Sequence, residues 1–377
     1  MRILHAMECT IGGTRRHLVD VVRGQLERGH PVALAVACLR EPRFRADLED
    51  LQRRGARVFE IPMLRSISPW RDAKHLGEVR RALRAFEPDV VHTHSSKAGV
   101  LGRLASLLEH RGARIHTPHA FAFLFSAEFS AAKRGLFRRM ETSLARRTAR
   151  IIAVSEGEAA TIRASGVVPP ERLRVVRNGI DPAPWLAAKP ADRASLGIPE
   201  DVPLILVAGQ LHIGKGQDLA VEALARPGLE RAHLLLLGGG PLQARIEQLA
   251  SELKVRDRLH LPGWSDQVGP WMLASDLVLL PSRWEAMPYI VLEAMACAKA
   301  VVATRVDGAR EMIVEGENGA LCEIESAESI AQALQRILAQ VPAQRSAMGL
   351  RGREKLLAEG TASRMVDRLL AVYAEAR

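Results

Sequence analysis

One stretch constrains the fold more than any other: LVLLPSRWEAMPYIVLEAMA, residues 277–296. The run 277–281 is apolar without alternation, which predicts a parallel strand buried on both faces. Pro281 and Ser282 end it. Pro288 sits where a helix should begin, at a position that needs no N–H and profits from a fixed φ. Glu285 falls in the loop and Glu293 on the helix, with seven residues between them. At about 1.5 Å per residue, Glu293 lies roughly 7–8 Å along the axis from Pro288. Free N–H groups and the positive end of the helix dipole lie between the two carboxylates, an arrangement that favours phosphate. Carboxylates accept hydrogen bonds from sugar hydroxyls and repel phosphate. The segment therefore suits a nucleotide-sugar, with ribose on one side and the second sugar on the other. Two unrelated surface glutamates are the plainer reading of such a pair taken alone.

The context favours the sharper reading, because ligands of open α/β sheets bind at the carboxyl ends of strands. The segment also resembles the E-x7-E signature of retaining glycosyltransferases of family 4, P-S-x-x-E-G-x-P-x-x-x-x-E-A. Ala286 stands where the family has glycine.

With 377 residues the chain is long enough for two domains. Cys9, Cys38, Cys297 and Cys322 have no zinc-type or C-x-x-C spacing, which predicts reduced thiols and a cytosolic protein. No apolar run approaches the ~18 residues of a membrane span. The net charge of +10 is uneven: residues 1–180 hold 32 basic and 18 acidic side chains, residues 181–377 hold 21 and 25. A basic N-terminal half points to an anionic partner, unless the arginine content is only compositional.

In the first half, the strand RILHAM (2–7), the pair Gly12 and Gly13, a helix to about Arg28 and the strand 31–39 make a βαβ unit without the G-x-G-x-x-G fingerprint. The glycine pair serves either as a packing turn or to bring backbone N–H groups to a ligand. PDVVHTHSS (88–96) and ARIHTPHAF (113–121) place His92, His94, His116 and His119 at or beyond two strand ends. They read either as satisfied sheet histidines or as a cluster. A metal is not expected, since no Asp, Glu or Cys joins them. The stretch 121–150 sets four phenylalanines near its start beside a run of basic residues on a helix from about Ala131. That pattern reads as an anchor on an anionic membrane, or as a packed helix with a solvated basic face.

In the second half, the apolar strand 202–211 leads into HIGKGQD, with Lys215 between glycines at a helix start, suited to phosphate. HLLLLGGGP (233–241) and LHLPGW (259–264) are further strand–turn units, and residues 326–377 read as helical.

HTHSSKAG, TPHAF, the VSE phrase and NGID also resemble family 4, in its bacterial capsule, exopolysaccharide and lipopolysaccharide branch. The resemblance covers nearly the whole chain. It implies the GT-B architecture: an α/β fold of two Rossmann-like domains facing a cleft, an acceptor-side domain over 1–180 and a nucleotide-sugar domain over 181–360, with a closing helix (361–377) crossing back. It implies that His119 and Glu285 lie at the reaction centre. Gly12, Gly13, Gln210, Lys215, Gly239, Val268 and Glu293 would meet the donor, and Ser95, Ser96 and Lys97 would face the acceptor. The family pattern G-R-L-x-x-x-K-G has arginine where this chain has Gln210; either another arginine supplies the missing charge, with Arg283 the candidate, or the donor is held more weakly. The implied reaction is retaining transfer of a hexose-type sugar from a nucleoside diphosphate, UDP before GDP, to a lipid-linked or polysaccharide hydroxyl. No cofactor is expected, and no D-x-D metal motif is present. The expected location is the cytoplasmic face of the inner membrane. The rivals are a nucleotide-sugar epimerase of the same fold and a non-enzymatic polyanion binder. Nucleic acid is not expected as a partner, since aromatic content is 4% and stacking platforms are scarce.

Overall fold

The computed structural model describes residues 1–124, 129–266 and 268–377. They form two compact units, Met1–Asn178 with Ala362–Arg377, and Gly179–Thr361.

The first unit is built on seven strands: β1 (Ile3–Met7), β2 (Val32–Val36), β3 (Arg57–Glu60), β4 (Val90–His94), β5 (Ala113–Thr117), β6 (Arg150–Ala153) and β7 (Leu173–Val175). Their order is β3-β2-β1-β4-β5-β6-β7, and every neighbouring pair is parallel. Each strand but β7 feeds a helix that covers a sheet face: α1 (Gly12–Glu27), α2 (Phe44–Arg53), α3 (Pro69–Phe86), α4 (Ser96–Glu109), α5 (Ala131–Ala145) and α6 (Glu156–Ser165). Every residue of β1, β2 and β4 is buried, which accounts for their unbroken apolar character. The polar exceptions, His5, His92, Thr93 and His94, must find partners inside. Chain direction around the sheet reverses between β1 and β4, so this switch point opens a crevice at their carboxyl ends.

The second unit opens with the one-turn helix α7 (Ala183–Leu186) and has six parallel strands: β8 (Leu204–Ala208), β9 (His233–Leu237), β10 (Leu259–Gly263), β11 (Leu277–Leu280), β12 (Ala300–Thr304) and β13 (Gly319–Cys322). Their order is β10-β9-β8-β11-β12-β13, with the switch point between β8 and β11. The helices are α8 (Gln217–Leu224), α9 (Gln243–Glu252), α10 (Val268–Ala274), α11 (Tyr289–Ala296), α12 (Asp307–Met312), α13 (Ala327–Leu338) and α14 (Pro342–Glu359). α15 (Ala362–Ala376) belongs to the first unit, where Met365, Leu369, Val372 and Tyr373 join Ile3, Val90 and Ile115 in one apolar cluster.

The aromatic run before α5 differs from its expected role. Phe121 and Phe123 are buried, packed with Ala145, Ile151 and Ile162, and Phe137 packs against the same cluster. Their apolar area is used within the core and is not available to lipid. Phe125, the third aromatic of that run, lies outside the described residues. No helix among the described residues is long and apolar enough to cross a membrane.

Candidate functional site

In the second unit the site residues collect at the carboxyl ends of β8, β9 and β11. Lys215 lies in the loop after β8 and Glu285 in the loop after β11. Lys215 Nζ donates to Glu285 Oε1 at 2.5 Å, and Ser282 Oγ donates to the same oxygen at 2.9 Å. Glycines hold these loops together. Gly216 has φ +67° and faces the Pro281 carbonyl so closely that any Cβ would collide with it. A Cβ at Gly214 would fall 2.5 Å from the Trp284 ring. Arg283 N–H donates to the Gly214 carbonyl at 2.9 Å. The G-K-G spacing is thus a packing requirement, and it fixes Lys215 against Glu285.

Gly239 sits in the turn after β9, where an added Cβ would meet open space, while its neighbour Gly240 is pressed against Leu211. Gln210 is exposed, and its carbonyl accepts from the Gln217 amide at 2.9 Å. Val268 is the first residue of α10, half-buried. α11 starts at Tyr289 with Pro288 as its N-cap, one residue later than expected, and Glu293 lies half-buried one turn in. Ala286 has no left-handed φ, so alanine is tolerated where the family carries glycine.

Arg283 does not fit the role expected for it. Its guanidinium makes a two-pronged pair with Asp218, at 2.9 and 2.8 Å, and a third bond to Glu325 at 2.7 Å. Hydrogen bonding to Asp218 pushes its pKa further up against the opposing effect of burial. Two carboxylates already balance this one cation, so it ties α8 to the β11 loop and does not replace the arginine missing at Gln210.

In the first unit the site residues lie beyond β1, β4 and β5. Gly12 (φ +52°) and Gly13 open α1 and are exposed, and Ile11 at the N-cap offers no side-chain bond, so the first N–H groups of this helix remain available. His119 is half-buried and adopts φ 51°, followed by Ala120 at φ 70°. That unusual turn is held by the buried Glu158, which accepts from Ala120 N and Val154 N, each at 2.7 Å. Ser155 caps α6 by accepting from Glu158 N at 2.9 Å, so Val154 and Ser155 of the VSE phrase hold the Glu158 carboxylate that positions His119, while Glu156 is exposed.

Behind His119 runs a buried chain of rings. His119 Nε2 faces His94 Nδ1 at 3.3 Å, and His94 Nε2 faces His5 Nδ1 at 3.0 Å. His5 Nε2 reaches Gln25 Oε1 at 2.8 Å, and the Gln25 amide donates to the Tyr373 hydroxyl at 3.4 Å. Tyr373 meets His92 Nδ1 at 2.6 Å, and His92 Nε2 meets Thr117 Oγ1 at 2.8 Å. His17 stands edge-on to His119 with ring centroids 4.8 Å apart, and its Nδ1 meets Asn178 Oδ1 at 3.0 Å. Burial disfavours the imidazolium throughout, holding His5 and His17 at about 4 and His92, His94 and His119 well below the usual value.

His116 stands apart. Its Nδ1 lies against Thr93, and its ring sits over Gly99, where a Cβ would come within 2.5 Å. It packs α4 onto the sheet. Lys97 departs from its expected acceptor-facing role, because its ammonium is paired with both oxygens of Asp72, at 2.6 and 2.7 Å, and with the Ser66 carbonyl at 2.9 Å. Ser95 is buried with φ 57°, and its hydroxyl has no hydrogen-bond partner; Ser96 is exposed at the start of α4. His5, His17, Gln25, Tyr373 and Glu158 were not among the expected site residues. For His5 the signal was present: a histidine inside an otherwise apolar strand needs a partner.

The outer side of α5 and the turn after it carries Arg138, Arg139, Arg146 and Arg147, all exposed, flanking Thr142 and Ser143. Arg138 donates to the Ser165 carbonyl at 2.7 Å.

Residues 11–184 match the family described as Glycosyltransferase Family 4, and residues 188–355 match Glycosyl transferases group 1. The chain belongs to this glycosyltransferase family. It is 28% identical over 290 residues to the Escherichia coli UDP-Gal:alpha-D-GlcNAc-diphosphoundecaprenol alpha-1,3-galactosyltransferase, covering 74% of each chain. It is 28% identical to the lipopolysaccharide core biosynthesis glycosyltransferase LpsE of Rhizobium meliloti, over 99% of both chains. Anabaena HepE, solved in complex with UDP-glucose, shares its fold with a TM-score of 0.83 at 21% identity, over 99% of both chains. The fold is GT-B, and the protein is a glycosyltransferase that uses a nucleotide-sugar.

Proposed function

We propose that this glycosyltransferase moves a hexose from a UDP-sugar to a hydroxyl of a lipid-linked saccharide, with retention at the anomeric carbon. The observation that carries the reading is the Lys215–Glu285 pair at the β8/β11 switch point. A donor diphosphate beside it is stabilised by the Lys215 ammonium and the positive end of the α11 dipole. Glu293, one turn along that helix, takes the ribose hydroxyls. Glu285 is neutralised by Lys215, which suits a carboxylate that steadies positive charge developing on the sugar and not one that attacks it. In retaining transfer of the front-face kind, the bond from anomeric carbon to phosphate oxygen breaks as the acceptor oxygen bonds the same face. The acceptor proton passes to the departing phosphate, and no strong side-chain base is required. Neutral His119, held by the chain behind it, offers a hydrogen bond to a hydroxyl of the substrate sugar.

Uridine is favoured because HepE was solved with UDP-glucose and the E. coli relative is named for UDP-Gal. A lipid-linked acceptor is favoured by that relative's diphosphoundecaprenol acceptor and by the four exposed arginines around α5. Peripheral docking at the inner leaflet follows from the same stripe, at about 1 kcal/mol for each basic residue near an anionic surface. The test is a matrix of UDP-, GDP- and dTDP-sugars against diphospholipid-linked and free saccharides, followed by product linkage analysis. UDP-sugar turnover with α-linked product on the lipid acceptor is the expected outcome. Conversion of donor without any acceptor would indicate an epimerase instead. Replacing Arg138, Arg139, Arg146 and Arg147 by glutamine should release the protein from anionic vesicles and leave UDP affinity unaltered. Equal binding of both proteins would remove the membrane role.

A further inference from the structure

We infer that the first unit carries a transition-metal site made by His17, His94 and His119, of the type that takes Zn²⁺ through three imidazoles. One ring nitrogen from each lies within 4.8 Å of the other two. The His94 Nδ1 to His119 Nε2 separation of 3.3 Å equals the edge of a tetrahedron with bonds of about 2.0–2.1 Å.

The hydrogen bonds around the triad assign the lone pairs. His17 Nδ1 lies against Asn178 Oδ1, which only accepts, so Nδ1 carries the proton and the lone pair is on Nε2. His17 Nε2 is buried and has no hydrogen-bond partner. His5 Nε2 donates to Gln25 Oε1, so its Nδ1 accepts, and His94 must donate from Nε2. That leaves a lone pair on His94 Nδ1, aimed at His119. Each of these two rings thus donates its other N–H to a fixed acceptor, as metal-binding histidines generally do. Without an ion, His119 supplies the proton between Nε2 and His94 Nδ1. With one, that proton moves to His119 Nδ1 through solvent, and no oxidant, reductant or net proton is needed.

The neighbouring triple His5, His92 and His94 does not offer the same site. Both nitrogens of His5 and of His92 are already bonded, and all three rings are fully buried. In the chosen triad, half-buried His119 gives an ion a way in and leaves the fourth position to water. An all-imidazole donor set selects Zn²⁺, Co²⁺, Ni²⁺ or Cu²⁺ over Mg²⁺ or Ca²⁺. Occupation would hold the His119 ring and slow transfer while leaving nucleotide affinity alone. That kinetic consequence rests on the reading proposed above, whereas the site itself does not.

The test uses the full chain, stripped with chelator, and titrated with Co²⁺ and Zn²⁺ by absorption and calorimetry. One ion per chain, with the intense visible bands of four-coordinate Co²⁺, is expected. His17→Phe should abolish it, and Asn178→Ala should weaken it about tenfold by freeing the His17 ring. Melting and near-ultraviolet dichroism verify that each variant is folded, and Asn178→Ala decides the matter should His17→Phe not be. His233 and His260, whose rings meet at 2.9 Å in the second unit, are the competing site, so His260→Asn should leave binding intact. No binding, six-coordinate spectra, thiolate charge-transfer bands, or loss of binding in His260→Asn would each overturn the inference. If Zn²⁺ binds as described but turnover is unaffected, the site stands and the role given to His119 falls.

Discussion

At the ends of β8 and β11 the working groups carry formal charge and are held by ion pairs and by glycines that let two loops touch. At the ends of β1 and β4 they are neutral rings, desolvated and held in a chain of hydrogen bonds. The same topological device, a switch point in a parallel sheet, is filled with opposite chemistry in the two units. The charged version suits a diphosphate and a developing cation. The neutral version suits hydroxyl groups, where an uncharged donor and acceptor discriminate by direction and contribute little field. The difference also sets how each responds to perturbation: the charged site through ligand binding and rate, the neutral one through folding.

The largest contrast should come from Glu285→Gln. Turnover should fall about 10²–10³-fold, the usual effect of removing one group that stabilises transition-state charge. Affinity for UDP should hold or rise, because Lys215 loses its competing partner. Steady-state kinetics with UDP calorimetry checks both, and parallel losses in the two would break the assignment. Glu293→Ala should act the other way, costing about 1.5–3 kcal/mol of UDP affinity as the ribose loses a charged acceptor. Unchanged UDP binding by calorimetry would remove Glu293 from the nucleotide.

Acid should distinguish the units without mutation. Burial holds the folded pKa of His5 at about 4, below the unfolded value of 6.5. The unfolded chain therefore binds the proton first, and the stabilisation present above pH 6.5 is lost as pH falls towards 4. Between pH 7 and 5 this costs on the order of 2 kcal/mol for such a group. Urea unfolding should show the first unit losing stability in that window, and His5→Gln should reduce the slope without abolishing it, since burial lowers His17 in the same way; an unaltered slope would contradict it. The smallest effect is expected from Tyr373→Phe, about 1–2 kcal/mol from a buried His92 nitrogen left without its partner. Thermal melting should register this, with UDP binding unaffected.

The strand–loop–helix units were legible because buried parallel strands are unbroken apolar runs and their ends are punctuated by glycine and proline. The same local logic placed Lys215, Glu285 and Glu293 within a few residues of strand or helix ends. Fate of a side chain after that depends on partners far along the chain, which no local pattern contains. Arg283 finds Asp218 65 residues away, and Lys97 finds Asp72 25 residues away. Phe121 and Phe123 looked like lipid anchors beside basic residues, but α6 and β6 fold over them. His17 is invisible in the same way: on α1 it is one polar residue next to Leu18, and only the fold brings it to His119.

The position of Tyr373 bears on how the chain is made. Its hydroxyl bonds His92 across 281 residues of sequence, and α15 supplies four side chains to the core beneath β1, β4 and β5. The first unit emerges from the ribosome up to Asn178 and then waits for the whole second unit, residues 179–361, before α15 exists. At about 5–20 residues per second that interval is roughly 10–40 s. Throughout it, the apolar seat for α15 is uncovered and His92 lacks its phenol, so the nascent first unit is a natural client for chaperones.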